Sequence, residues 1–123
     1  MKRLCVVDDD ARTSRLFASL LEEDGYYVEV FRDGVEALER FASGPPPDAV
    51  ITDLVMANVG GLKVLEAARQ RWATVPVIFV TGHPELLAHV GTQFHPSPLV
   101  FSKPLIYGEF VLVLRSLFGA VSR

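Results

Sequence analysis

The chain has little sulfur: one cysteine and two methionines in 123 residues. A lone Cys5 excludes an intramolecular disulfide, and with no second cysteine or nearby histidine it does not outline a zinc site. A reducing cytoplasm is the expected setting. There is no excess of positive charge either. Twelve Lys and Arg stand against 15 Asp and Glu, a formal net charge of −3, so the basic footprint of a nucleic-acid-binding surface is missing. No apolar run approaches the roughly 18 residues of a membrane span. Met1-Lys2-Arg3 could open a signal peptide, but the apolar stretch behind it runs only from Leu4 to Val7 before three aspartates stop it. Neither membrane nor nucleic acid is therefore expected as a direct partner. What is abundant is core material. Half of the residues are hydrophobic and 22 % are charged, which excludes disorder. A chain of this length suffices for one domain that buries about 65 % of its unfolded surface.

Short apolar runs rich in β-branched and aromatic residues occur at Leu4–Val7, Val28–Phe31, Ala49–Ile51, Val77–Val80 and Leu99–Phe101. They lack polar alternation, as buried strands do. Their first residues lie 24, 21, 28 and 22 positions apart, too far for hairpins and about right for a strand, a three-turn helix and two loops. The segments between them carry helical stripes. The first has Leu16, Phe17, Leu20 and Leu21 with Gly25 as its stop. The second opens on Asp33 and Glu36, a capping-box pattern, and has Val35, Leu38 and Phe41 on its inner face. Leu62, Leu65, Ala68 and Trp72 mark the third, and Phe110, Val113, Leu114 and Leu117 the last. A weaker fourth carries Leu86, Leu87 and Val90 and is cut short by Gly91, Pro96 and Pro98. Five strands alternating with five helices predict an α/β fold with a parallel sheet covered on both faces and right-handed crossovers. Ligands of such sheets bind at the carboxyl ends of the strands.

The polar residues collect at that edge. Asp8 and Asp9 follow the first strand, Asp53 the third, Thr81 ends the fourth and Lys103 follows the fifth. If the first and third strands pair, at about 4.8 Å, three carboxylates share one pocket. Two unit charges about 4 Å apart at an effective dielectric of about 20 repel by roughly 4 kcal/mol, so the cluster must protonate or recruit a cation. Magnesium, which takes oxygen ligands and keeps several waters, suits the set. A single aspartate after a strand is more often a cap or a solvated side chain, and Asp10 is read as the cap of the first helix. The full set at one edge is harder to obtain from solubility alone. His83, His89 and His95 lack metal spacing and are read as solvated, and Trp72, Phe41 and Phe110 as core.

Over nearly its whole length, residues 1–123 read as one domain, the chain resembles the receiver domain of two-component response regulators. The likeness rests on Val6-Val7-Asp8-Asp9-Asp10, Ile51-Thr52-Asp53-Leu54-Val55-Met56, Val80-Thr81-Gly82 and Lys103-Pro104, in the family's order and with similar spacing. It implies a flavodoxin-like sheet of strand order 2-1-3-4-5 and a cis peptide before Pro104. It also implies that Asp53 accepts a phosphoryl group from a histidine kinase or phosphotransfer protein. Asp8, Asp9 and Asp53, with the backbone carbonyl of Val55, would then hold Mg2+, and Thr81 and Lys103 would bind the phosphoryl oxygens. Such a domain is no enzyme in the turnover sense, since it catalyses only its own phosphorylation and dephosphorylation. The implied partners are the kinase, a downstream protein and, through the last strands and helices, a second copy.

Three positions depart from the family's pattern: Ala57 and Gly60 replace its usual Pro and Asp, and Val100 stands where it carries a switch aromatic. Phe101 is adjacent but faces the other side of a strand. Other readings compete. Asp8-Asp9-Asp10 has the D-x-D spacing of a class of phosphatases, though Arg12 and the chain length fit them poorly. A flavin protein shares the expected fold, yet three aspartates would repel its phosphate. A receiver-like module that signals by contacts without phosphorylation is the third. The sequence stops soon after the last helix, so no output domain is expected within it.

Overall fold

The computed structural model describes residues 1–119. Residues 120–123, counted above within the same unit, lie outside the described residues. Parallel strands need long crossovers, and the chain supplies them with helices. The strands are β1 (Arg3–Val7), β2 (Tyr27–Phe31), β3 (Ala49–Thr52), β4 (Val77–Thr81) and β5 (Leu99–Ser102). They form one parallel sheet in the order β2-β1-β3-β4-β5. The helices are α1 (Ala11–Glu23), α2 (Gly34–Ala42), α3 (Gly61–Arg71) and α4 (Tyr107–Leu117). Among the described residues no helix is long and apolar enough to cross a membrane.

Four α-helices among the described residues, not five, is a correction to the sequence reading. The segment around Leu86, Leu87 and Val90 forms two 3-10 turns, Pro84–Leu87 and Val90–Thr92. Leu87 and Val90 are buried there, while Leu86 is 58 % exposed. Leu87 ends the first turn and Val90 opens the second, and turns this short cannot offset the cost of nucleating an α-helix.

Side chains alternate across the strands and feed two cores. Cys5, Val7, Val50, Val77 and Phe79 meet α2, α3 and the 3-10 segment through Ala37, Phe41, Leu65, Ala68 and Leu87. Leu4, Val6, Ile51, Ile78 and Val80 meet α1 and α4 through Leu21, Phe110 and Leu114. The helical stripes are narrower than their spacing implied. Leu16 on α1 is 64 % exposed, and Val35 on α2, expected inside, is 40 % exposed. At 100° per residue Val35 lies about 120° around α2 from Phe41, and small Ala37, one turn before Phe41, takes the inner position instead. Trp72, expected in the core, is half-buried and packs edge-on against Phe41.

The caps form locally. The Asp10 carboxylate accepts from the N–H groups of Arg12 and Thr13 at 3.1 and 3.2 Å and from the Thr13 hydroxyl at 2.9 Å. Asp33 accepts from the Glu36 N–H at 2.9 Å, and the Glu36 carboxylate reaches back to the Arg32 N–H, one residue beyond the usual partner. The peptide before Pro104 is cis.

Candidate functional site

The pairing of β1 with β3 places Val7 opposite Thr52, so the residues that follow, Asp8 and Asp53, emerge side by side. Backbone bonds extend the ladder through both: Asp53 N–H donates to the Val7 carbonyl at 2.9 Å and Asp8 N–H to that of Phe31 at 3.0 Å. Carboxylate oxygens of Asp8, Asp9 and Asp53 lie within 4.8 Å of one another. Asp8 is buried, Asp53 half-buried and Asp9 exposed, so the cluster opens to solvent on one side. Next to β4, β5 delivers Lys103, whose N–H donates to the Thr81 carbonyl at 2.8 Å. Its ammonium donates to Asp53 Oδ2 at 3.1 Å and stands 3.6 Å from Asp8 Oδ2.

The other carboxylate oxygens are held by the main chain. Asp8 Oδ1 accepts the Asp10 N–H at 2.9 Å and Asp53 Oδ1 the Leu54 N–H at 2.7 Å. Burial pushes the Asp8 carboxyl above its ordinary pKa, and the charges of Asp53 and Asp9 add to this, while the Asp10 N–H and Lys103 oppose it. Burial works against the Lys103 ammonium, but the hydrogen bond to Asp53 and the charges of Asp8 and Asp53 outweigh it and raise its pKa. Three carboxylates face one ammonium that reaches two of them. The donor set is therefore all hard oxygen, under-neutralised and open on one side, which fits a divalent ion that keeps part of its water.

The structure thus brings Asp8, Asp9, Asp53 and Lys103 together, with Thr81 at the neighbouring strand end. Thr81 is fully buried, and its hydroxyl oxygen accepts the His83 N–H at 2.9 Å. Val55 lies in the connection between β3 and α3 with its side chain 54 % exposed. Val100 sits on β5 opposite Phe79 and is 42 % exposed, while Phe101 faces the other core and packs on Phe110 at 5.1 Å between ring centroids. The expected separation of these two neighbours is therefore observed. His83, His89 and His95 are exposed.

Two supporting residues escaped the sequence reading. A Cβ on Gly61 would collide with the Asp53 carbonyl, the Leu54 Cα and the Phe79 ring, so only glycine lets α3 begin directly against the end of β3. Its signal was the Gly60-Gly61 pair ahead of an amphipathic stretch. Thr52, almost fully buried, donates its hydroxyl to the Asp53 carbonyl at 2.8 Å and so braces the backbone beneath the central carboxylate. Gly60 caps α3 without any side-chain bond, the structural counterpart of the missing aspartate.

The model of the response regulator receiver domain family matches residues 4–93. The response regulator MprA of Mycobacterium sp. strain KMS is 31 % identical over 120 residues, 98 % of this chain and 52 % of that protein. MprA of Mycobacterium ulcerans strain Agy99 is 32 % identical over 115 residues, 94 % and 49 % respectively. The chain spans about half the length of these curated relatives. Among solved structures, the response regulator TrrA of Thermotoga maritima, in complex with Mg2+-BeF, superimposes with a TM-score of 0.84 at 28 % identity, covering 95 % of this chain and 99 % of its own. A response regulator receiver protein from Sinorhizobium medicae WSM419 gives 0.86 at 26 %, covering 97 % and 95 %. An acidic cluster and its lysine at the carboxyl edge of a 2-1-3-4-5 sheet, on a sequence that the family's model matches, mean that the chain belongs to the response regulator receiver domains of two-component signalling.

Proposed function

We propose that residues 1–123 form one receiver unit in which Asp53 accepts a phosphoryl group from a histidine kinase or phosphotransfer protein in the cytoplasm. The observation that carries this reading is the position of Asp53, half-buried between the Lys103 ammonium and the acids Asp8 and Asp9. Phosphoryl transfer asks a protein mainly for in-line positioning and for charge on the equatorial oxygens. An Asp53 oxygen attacks phosphorus, the bond from phosphorus to the donor nitrogen breaks, and the electron pair leaves on the imidazole. Lys103, already bonded to Asp53 Oδ2, follows the charge onto the phosphoryl oxygens. The Thr81 hydroxyl, whose oxygen accepts from His83, has its proton to donate to one of them. Asp8, Asp9 and Asp53, with the Val55 carbonyl, are the groups that would hold Mg2+, which when bound neutralises charge on the transferring group.

The added charge and acceptor oxygens then bias the surface that a downstream protein reads. Val100 offers no ring for a gate, so the readout differs from an aromatic switch. Exposed Val100, Ile106 and Leu112 on β5, the following connection and α4 support a second copy as one partner. Against a D-x-D phosphatase stands Asp10, whose carboxylate accepts three hydrogen bonds as a helix cap and is not poised as a general acid.

The test is incubation with Mg2+ and acetyl phosphate followed by intact-mass measurement. The wild type gains one phosphoryl group, and Asp53→Asn gains none. No gain in the wild type favours the module that signals by contacts alone.

A further inference from the structure

The connection that carries Lys103 into α4 is held at both ends by groups remote in the chain. At its start the Lys103 N–H donates to the Thr81 carbonyl at 2.8 Å. Its far end is Tyr107, the first residue of α4. Ile106 precedes that helix without a side-chain bond, so no local cap fixes where α4 begins. Tertiary contacts do so instead. The Tyr107 ring stands edge-on to Phe17 of α1, 6.2 Å between centroids, and its hydroxyl reaches the end of the same helix. There it lies 2.6 Å from Asp24 Oδ2 and 3.1 Å from the Leu20 carbonyl. A hydroxyl has one proton to donate, and the shorter contact, to a carboxylate, is the stronger bond.

Burial, then the bond to Asp24 and its charge, push the Tyr107 hydroxyl above its ordinary pKa, so it remains a donor at neutral pH. Arg115 of α4 holds the other Asp24 oxygen at 3.3 Å. An acid at the C-terminal end of α1 opposes that helix's dipole, and these two partners from α4 offset the cost. The sequence reading gave neither Asp24 nor Tyr107 a role. We infer that Tyr107 is a positioning residue for phosphoryl transfer: its hydroxyl ties the connection from Lys103 to α1 and so holds the Lys103 ammonium at Asp53. This rests on Asp53 being the phosphoacceptor. The Lys103 side chain is long and 33 % exposed, so the path of its backbone does much to place the charge. Tyr107 keeps its proton throughout. A displacement of about 1 Å can cost about a hundredfold in rate, and the bond to Thr81 limits the displacement here, so losing the hydroxyl should cost about fivefold.

The experiment follows the gain of mass from acetyl phosphate and Mg2+ on the full chain as wild type, Tyr107→Phe, Lys103→Ala and the double variant. Tyr107→Phe keeps the ring against Phe17 and removes only the hydroxyl. Its phosphorylation should slow by about fivefold, while Mg2+ affinity by calorimetry, set by the carboxylates, holds within about twofold. A generally loosened site would lose both. Because the hydroxyl acts through Lys103, the Tyr107 substitution should change the rate by less than about twofold once residue 103 is alanine. A wild-type rate in Tyr107→Phe, an equal fall in both backgrounds, or a Mg2+ affinity that falls in step overturns the inference and leaves Asp53 in place. If Lys103→Ala gains no phosphate, beryllofluoride affinity in Mg2+ replaces the cycle. A loss of about fivefold in Tyr107→Phe then supports the inference, and an unchanged affinity overturns it. Acetyl phosphate that adds no mass to the wild type, or adds it equally to Asp53→Asn, overturns the phosphoacceptor reading itself and the inference with it.

Discussion

Asp8→Asn removes one charge from the acidic cluster and leaves Oδ1 able to accept the Asp10 N–H bond of 2.9 Å. Carboxylate oxygens of Asp9 and Asp53 lie within 4.8 Å of Asp8, and at an effective dielectric of about 20 each repels an ionised Asp8 by roughly 3 to 4 kcal/mol before screening. The variant loses the 3.6 Å contact with Lys103, whose side chain is 33 % exposed, while the 3.1 Å bond from Lys103 to Asp53 remains. Solvent screening discounts both sides of this comparison. The pKa of Asp8 is raised, first by burial, so its ionised form is net unfavourable in the fold. After the discount the variant should gain about 1 kcal/mol without metal, about 4 °C in Tm for a domain of this size. With Mg2+ the order narrows or reverses, because the wild type gains about 1.4 kcal/mol at ten times Kd and the variant little.

The pH dependence has a definite sign. A raised carboxyl pKa means the native state holds a proton that the unfolded state has released. The penalty from Asp8 is therefore fully present above the folded-state value and is relieved as pH falls through it toward the ordinary 3.8. Thermal unfolding by circular dichroism in EDTA and in Mg2+, across acidic to neutral pH, measures all three effects. A variant that melts below the wild type in EDTA near neutral pH, or that gains as much from Mg2+, would refute the reasoning.

Gly61→Ala should destabilise by about 3 kcal/mol, since its Cβ meets the Asp53 carbonyl and the Phe79 ring, and urea unfolding measures the loss. Val55, 54 % exposed beside Asp53, cannot orient a hydrolytic water through its side chain. Phosphorylated Asp53 should accordingly be long-lived, and Val55→Asn should hasten its decay several-fold in a mass-spectrometric time course; an unchanged rate rejects the idea. Burial and the charge of Glu29 push the Cys5 thiol up to about 12. Iodoacetamide near neutral pH should leave the native chain unmodified and alkylate it in denaturant, and ready alkylation of the native form would show that β1 opens.

The central strands β1, β3 and β4 were legible in the sequence because each is covered on both faces. Stretches such as Val77–Thr81 are apolar throughout, with no alternation to obscure them. Caps were legible too, because Asp10 and Asp33 act within three residues of themselves. The motif positions Asp8, Asp9, Asp53, Thr81 and Lys103 were all visible as residues that end strands. Only tertiary structure decided the rest. Strand order depends on which distant segments share a register, and here the family likeness rather than the residue pattern anticipated it. Whether residues 84–92 coil as an α-helix turned on how few side chains the sheet could bury. Ala37 rather than Val35 lies inside α2 because the way that helix docks on the sheet, not hydrophobicity alone, decides which stripe faces inward. The need for glycine at position 61 arises from the Asp53 carbonyl and the Phe79 ring, both remote in the chain. Lys103 divides itself between Asp53 and Asp8 only once two strand ends stand side by side. Local spacing specifies what a segment can form, whereas contacts between segments far apart in the chain set which form wins and which groups meet.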